Sequence, residues 1–280
     1  MQAFSEFRHM PPSFWAMVKY ISETLGYTIR GQGVVRTYST DEIDRLAFQN
    51  KITVDCDTIL TAKSYFDKRA DLLNGFVRCN LMTADTAKEA FLHLYPLHQN
   101  NHFQCKLPMN KQKGSMKQVA FFTSIINILA EDTIRHSSIY NGSLGFNDDP
   151  RGLVYIFDNE NRIIGASSRR FDGAYPNIIN PQIVWEIKEY YYATTFGSRV
   201  ADGVYETQLD GYEFRDISYR SGRPIIHVFF LDAYKTWWID GKSYLCRIID
   251  ILNSGLVDEV IVGKEVFTRW PELLNSIIEK

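Results

Sequence analysis

The run from Pro224 to Asp232, PIIHVFFLD, is apolar at nearly every position. A run of this kind suits a strand covered on both faces, so the chain must supply layers above and below its sheet. The surrounding periodicity provides them. Ser115 to His136 carries Val119, Phe122, Ile126, Leu129 and Ile134 along one helical stripe. Gly152 to Asp158 and Arg162 to Phe171 read as a hairpin about the tip Asp158-Asn159-Glu160-Asn161, and Gln182 to Tyr191 as a third strand. Thr194-Thr195-Phe196-Gly197-Ser198-Arg199 leads into a helix running to about Leu209. A helix over Lys242 to Leu252, a strand from Glu259 to Val262 and a last helix from Val266 follow. From Ser115 the order is α-β-β-β-α-β-α-β-α, which predicts a three-layer α/β/α domain with a mixed sheet.

Upstream, the pattern is mainly helical. Ser13 to Leu25 has Phe14, Met17, Val18, Ile21 and Leu25 at helical spacing, Ser39 opens a helix through Phe48, and further helical patterns cover 58–75 and 83–95. The composition shifts at QCKLPMNKQKGSMK, residues 104–117, and the expected division is 1–105, an accessory region that reads DNA, dimerises or caps the core, and 106–280, the catalytic domain. Lys113 and Lys117 in that stretch are candidates for phosphate contact, with a solvated linker as the alternative. His93, His98 and His102 lack the spacing of a metal site, and Pro96 interrupts a shared helical face.

At 280 residues and 45% hydrophobic content the chain has ample material for a core. Its net charge of -2 excludes a broadly basic nucleic-acid binder, so contact with a polyanion requires a local patch. Cys56, Cys79, Cys105 and Cys246 form no CxxC pair and are expected reduced and mostly buried. The longest apolar run, VAFFTSIINILA, is too short and polar to span a bilayer, and the amino terminus lacks a leader pattern, so a cytoplasmic protein is expected.

Chemistry concentrates between Phe171 and Tyr192. In a strand, Val184, Glu186, Lys188 and Tyr190 share one face, and Asp172, which precedes an expected turn at Gly173, meets Glu186 and Lys188 if a second strand lies alongside. Two carboxylates and an ammonium so placed suit a hard divalent cation and phosphodiester hydrolysis. Opposite charges on a solvated strand face are the alternative. Glu131 and Asp132 near the end of a helix oppose its dipole, so Glu131 either approaches the metal site or pairs with Arg135. Ser198 and Arg199, at a helix start, are candidates for binding phosphate.

With the element order, Asp172, Glu186 and Lys188 resemble the motif of the PD-(D/E)xK nuclease superfamily, whose shared core is αβββαβ. The resemblance covers roughly residues 115–235 and rests in sequence on those three residues, with Phe171 where the family usually has proline. It implies a restriction-endonuclease-like core in which Asp172 and Glu186 bind Mg2+, with Mn2+ as a substitute. Lys188 would stabilise or activate the attacking water, and Glu131 would match an acid on the first helix. A chain of this size without a helicase motif looks most like a type II restriction endonuclease, which implies a homodimer acting on double-stranded DNA. A structure-specific repair or phage-defence nuclease of the same fold, and a noncatalytic DNA-binding or scaffold protein, remain as alternatives.

Overall fold

The computed structural model describes residues 1–29, 31–192 and 198–279, with the side chains of Ser115 and Ser198 outside that description. Helix α1, Pro12–Leu25, starts with proline at its first position, where the fixed φ suits a helix and no amide hydrogen is needed. Ser39 and Glu42 close a capping box on α2, Thr40–Gln49. Asp55 caps α3, Cys56–Leu72, by accepting the Thr58 N–H at 2.8 Å. These helices close over Phe14, Trp15, Val18, Tyr65 and Phe66. A π-helical turn, Leu73–Val77, and a short α4, Arg78–Asn80, lead to α5, Ala84–Asn100, which continues through Pro96.

Helix α6, Phe121–Arg135, begins later than its stripe of apolar residues predicts. Residues ahead of it close a small loop, bridged between Met109 and Val119 and by the Ala120 N–H to the Pro108 carbonyl at 2.8 Å. The expected hairpin forms from β1, Tyr155–Phe157, and β2, Ile163–Ala166, as its own two-stranded sheet. Its second strand stops short of Phe171 because the Ser167 hydroxyl donates to the Arg169 carbonyl at 2.7 Å and turns the chain. Gly173, expected in a turn, instead opens β3, Gly173–Tyr175. A Cβ there would lie 2.0 Å from the Trp185 indole, so this glycine marks a close approach between strands.

β3 pairs antiparallel with β4, Ile183–Glu189, with Gly173 opposite Trp185. Helix α7, Ser198–Ser221, extends well past the expected Leu209. β4 then pairs in parallel with β5, Ile226–Asp232, and β5 in parallel with β6, Glu259–Val262. Helices α8, Lys242–Asn253, and α9, Val266–Ile278, complete the fold. The sheet order is β3-β4-β5-β6, a mixed sheet with helices on both faces. Ile183 and Trp185 of β4, with Val228, Phe230 and Ile261, pack in one core with α5, α6 and α9. Phe229, Leu231, Val260 and Val262 point the other way, into a core with α8 and with Val200 and Val204 of α7. Val184 joins Phe171 and Phe214 beside the β1–β2 hairpin.

This packing places α5 with the sheet, whereas the composition shift had put the division at 105/106. Cys105 and Cys246 are buried, but Cys56 and Cys79 are exposed, against the expectation of mostly buried thiols. Among the described residues no helix is long and apolar enough to cross a membrane.

The N-terminal region joins the sheet domain through Tyr27, Val35, Ala70 and Leu73, which share the α8-side core, and through a buried ion pair. Arg69 of α3 donates from Nη1 to Asp250 of α8 at 3.0 and 3.1 Å, and Tyr65 donates to the same carboxylate at 2.6 Å. Arg69 is fully buried and Asp250 is 3% exposed. Asp250→Ala leaves a buried guanidinium without its counter-charge, and the expected cost is about 3–5 kcal/mol. A urea-unfolding series checks it. A loss under about 1 kcal/mol, the range of an exposed pair, would refute this role for the bridge.

Candidate functional site

Glu186 and Lys188 lie on the α7-facing side of β4, two residues apart as the strand period requires. Both are buried, and Lys188 donates from Nζ to Glu186 Oε1 at 2.6 Å and to Glu206 Oε2 on α7 at 3.2 Å. Helix α7 can lie this close because Gly203 faces the lysine: a Cβ there would sit 3.0 Å from Lys188 Cε. The second oxygen of Glu186, Oε2, accepts from Arg169 Nη1 at 3.0 Å. Arg169 is itself held by Asp210 of α7, which accepts from Nε at 3.0 Å and from Nη2, and its guanidinium lies 5.0 Å from the centre of the Phe171 ring.

Asp172 enters from the neighbouring strand. Its N–H donates to the Trp185 carbonyl at 3.1 Å, and its Oδ2 accepts the Ile187 N–H at 2.7 Å. These bonds fix the carboxylate beside Glu186 and leave Oδ1 without a hydrogen-bond partner among the described residues. Asp172 itself is exposed to solvent. Burial, then the charge of Glu186, pushes its carboxyl up to about 7, against the Ile187 N–H, Lys188 and Arg169; water on the open side tempers the effect. Burial likewise raises Asp210 to about 6 despite Arg169. For Lys188, burial works against the charge, but Glu186 and then Tyr190 and Glu206 hold its pKa above the ordinary lysine value. Lys188 is therefore a fixed ammonium near neutrality, suited to stabilising negative charge and unsuited to removing a proton.

The donor set fits Mg2+ in kind. That ion takes one or two carboxylates and completes its shell with waters and substrate phosphate oxygens. Asp172 Oδ1 and a Glu186 oxygen are such donors, provided Glu186 exchanges one of its cationic partners. Among the described residues no group of three or more His, Cys, Asp or Glu is placed to hold a metal, so a cation here would rest on these two carboxylates.

Other expected site residues are not gathered with them. Glu131 lies on α6, on the opposite face of the sheet, and accepts the Gln104 N–H at 2.9 Å, the Cys105 N–H at 2.7 Å and two bonds from Arg135. It pairs with Arg135 and ties down the backbone before α6, which accounts for an acid at that helix end. Arg199 is exposed in the first turn of α7, and its carbonyl accepts from the Tyr190 hydroxyl at 3.2 Å. Lys113 and Lys117 are exposed beside the turn that precedes α6. The Ser198 side chain and residues 193–197 lie outside the described residues.

Arg169, Glu206 and Asp210 surround the pair but belong to no recognisable sequence motif. Gly203, Glu206 and Asp210 recur at helical spacing, the signal that would have found them, but ending the helix at Leu209 cut Asp210 off.

Residues 82–277 match the model of a domain of unknown function, DUF7687. The chain belongs to the DUF7687 family. Residues 1–76 match a second domain of unknown function, DUF7690, so the two matched regions meet ahead of α5. No curated protein and no solved structure matches the chain. All of Arg169, Asp172, Glu186, Lys188, Glu206 and Asp210 lie within the DUF7687 region.

The raised pKa of Asp172 has a signed consequence. With a folded value of about 7 against the ordinary 3.8, the metal-free native state keeps a proton that the unfolded chain releases. The stability this supplies is complete below about 4 and is lost as pH rises to about 7. Carboxyl carbon NMR on metal-free protein should show Asp172 titrating above the ordinary aspartate range, and Asp172→Asn should flatten the stability slope over the pH range of that titration. An Asp172 signal titrating in the ordinary aspartate range would contradict this.

Proposed function

We propose that the DUF7687 region carries a Mg2+-dependent phosphodiesterase site of the PD-(D/E)xK kind and that the protein is an endonuclease of double-stranded DNA, most like a type II restriction endonuclease. The observation that carries this reading is the meeting of Asp172, at the start of β3, with Glu186 and Lys188 on antiparallel β4. Four strands, not the expected three, lie between α6 and α7, and β1 and β2 stand apart as a hairpin; what favours a restriction-endonuclease-like core is the antiparallel β3–β4 pair followed by α7 and the parallel β5.

In this account Asp172 and Glu186 hold the cation. Bound there, Mg2+ would polarise a phosphoryl oxygen and lower the pKa of a water. Water forms the new bond to phosphorus as one ester P–O bond breaks; a proton from the water passes to solvent, and the departing ester oxygen takes a proton from solvent, leaving a phosphate monoester and a hydroxyl. Lys188 contributes its fixed ammonium, which balances charge developing on the phosphoryl oxygens. Asp210 keeps Arg169 in place, and Gly203 leaves room for Lys188 to extend. With a net charge of -2, DNA would be drawn by local cations such as Lys113, Lys117 and Arg199. The homodimer belongs to this proposal as the arrangement that cuts both strands.

One observation favours a second, noncatalytic reading. Both oxygens of Glu186 already carry cationic donors, so the cluster also makes sense as a self-neutralised structural network in a DNA-binding or scaffold protein.

Incubation of the purified protein with plasmid and phage DNA, in Mg2+ or EDTA, followed by sequencing of fragment ends, separates these readings. The nuclease reading expects discrete, Mg2+-dependent fragments, with Lys188→Ala reducing the rate on the order of 100- to 1,000-fold. Asp172→Ala should abolish cutting. Nicking at forks or flaps regardless of sequence would move the assignment to a structure-specific nuclease. Undamaged DNA and RNA under every condition, with folding confirmed, would leave the noncatalytic reading.

A further inference from the structure

We propose that Arg169 is a built-in competitor for the divalent cation, a positioning residue that occupies Glu186 Oε2 until a metal takes that oxygen. This rests on the metal-binding reading above. The geometry behind it is asymmetric. Arg169 presents Nε and Nη2 to Asp210, a side chain 3% exposed at the carboxylate, and only Nη1 to Glu186. The anchor therefore has two points and the contact with Glu186 has one. Phe171 beneath the guanidinium fixes its plane.

The same asymmetry distinguishes Arg169 from Lys188. Lys188 has Glu206 as its alternative partner, a carboxylate whose side chain is 45% exposed, whereas Arg169 retains a buried, forked partner after releasing Glu186. Giving up the single Nη1 bond costs Arg169 the least, so Oε2 is the oxygen that a cation bridging to Asp172 would take. Asp210 sets the strength of the competition. While it is ionised, Arg169 is shared between two carboxylates; without that charge, Glu186 is the only ionic partner left to the guanidinium among the described residues.

Calorimetric titration of Mn2+ alone into metal-free protein tests this, with thermal melts confirming that each variant is folded. Arg169→Gln should bind Mn2+ more tightly, on the order of tenfold, and Asp210→Asn more weakly by a similar factor. A merely structural pair would move both variants in the same direction or neither. Arg169→Lys, which keeps the charge but lacks the fork, should fall between wild type and Arg169→Gln and serves if the glutamine variant fails to fold. Asp172→Asn reports on the underlying reading and should abolish binding. Unchanged affinity in the Arg169 and Asp210 variants, with Asp172→Asn still losing the ion, would overturn the role of Arg169 and leave the cation site intact. Absence of Mn2+ binding in wild type and in folded Arg169 variants would overturn both.

Discussion

A carboxylate in the middle of a buried strand is the constraint on which this structure turns. Glu186 is 5% exposed and lies in register with Phe229 of β5. An unpaired charge at such a position would cost several kcal/mol. Lys188 and Arg169 compensate it from two sides, and each requires further arrangement. Arg169 is held by Asp210, and the lysine's stem passes close to α7 at Gly203. Long α7 thus supplies an acid, a space and an apolar edge to the same few ångströms of sheet.

The alternation of β4 separates packing from chemistry. Ile183 and Trp185 are committed to the core under α6 and α9, which holds the strand so that Glu186 and Lys188 project toward α7. Gly173 lets β3 close over Trp185, and that contact brings Asp172 to the strand edge, where the Ile187 N–H orients it. The DUF7690 region stands behind α8 through the Arg69–Asp250 bridge. It is attached through that buried charge and through Tyr27, Val35, Ala70 and Leu73, which join the apolar core around α8.

Much of this was legible in the residues. PIIHVFFLD announced a strand covered on both faces, and Glu186 and Lys188 could be placed together because strand periodicity is independent of tertiary context. Other features depend on contacts that no local pattern encodes. Gly173 reads as a turn until Trp185 is known to lie over it, and β2 ends early through a serine hydroxyl bond that propensity does not register. Glu131 looked available for a metal because an acid opposes the helix dipole there, yet Arg135 and the backbone of Gln104 and Cys105 use it fully. Arg169 carried no motif at all, since its importance comes from Asp210, distant in sequence and just past the expected helix end.

On the proposal above, the Asp172–Glu186 pair is a cation site guarded by its own counter-ions. Anomalous diffraction from crystals soaked in Mn2+ tests it most directly, because it locates the ion and the surrounding side chains in one map. The account predicts a single peak between Asp172 Oδ1 and Glu186 Oε2, with Arg169 withdrawn onto Asp210. An empty pair with the Arg169–Glu186 contact intact, or a peak held by other residues, would contradict it.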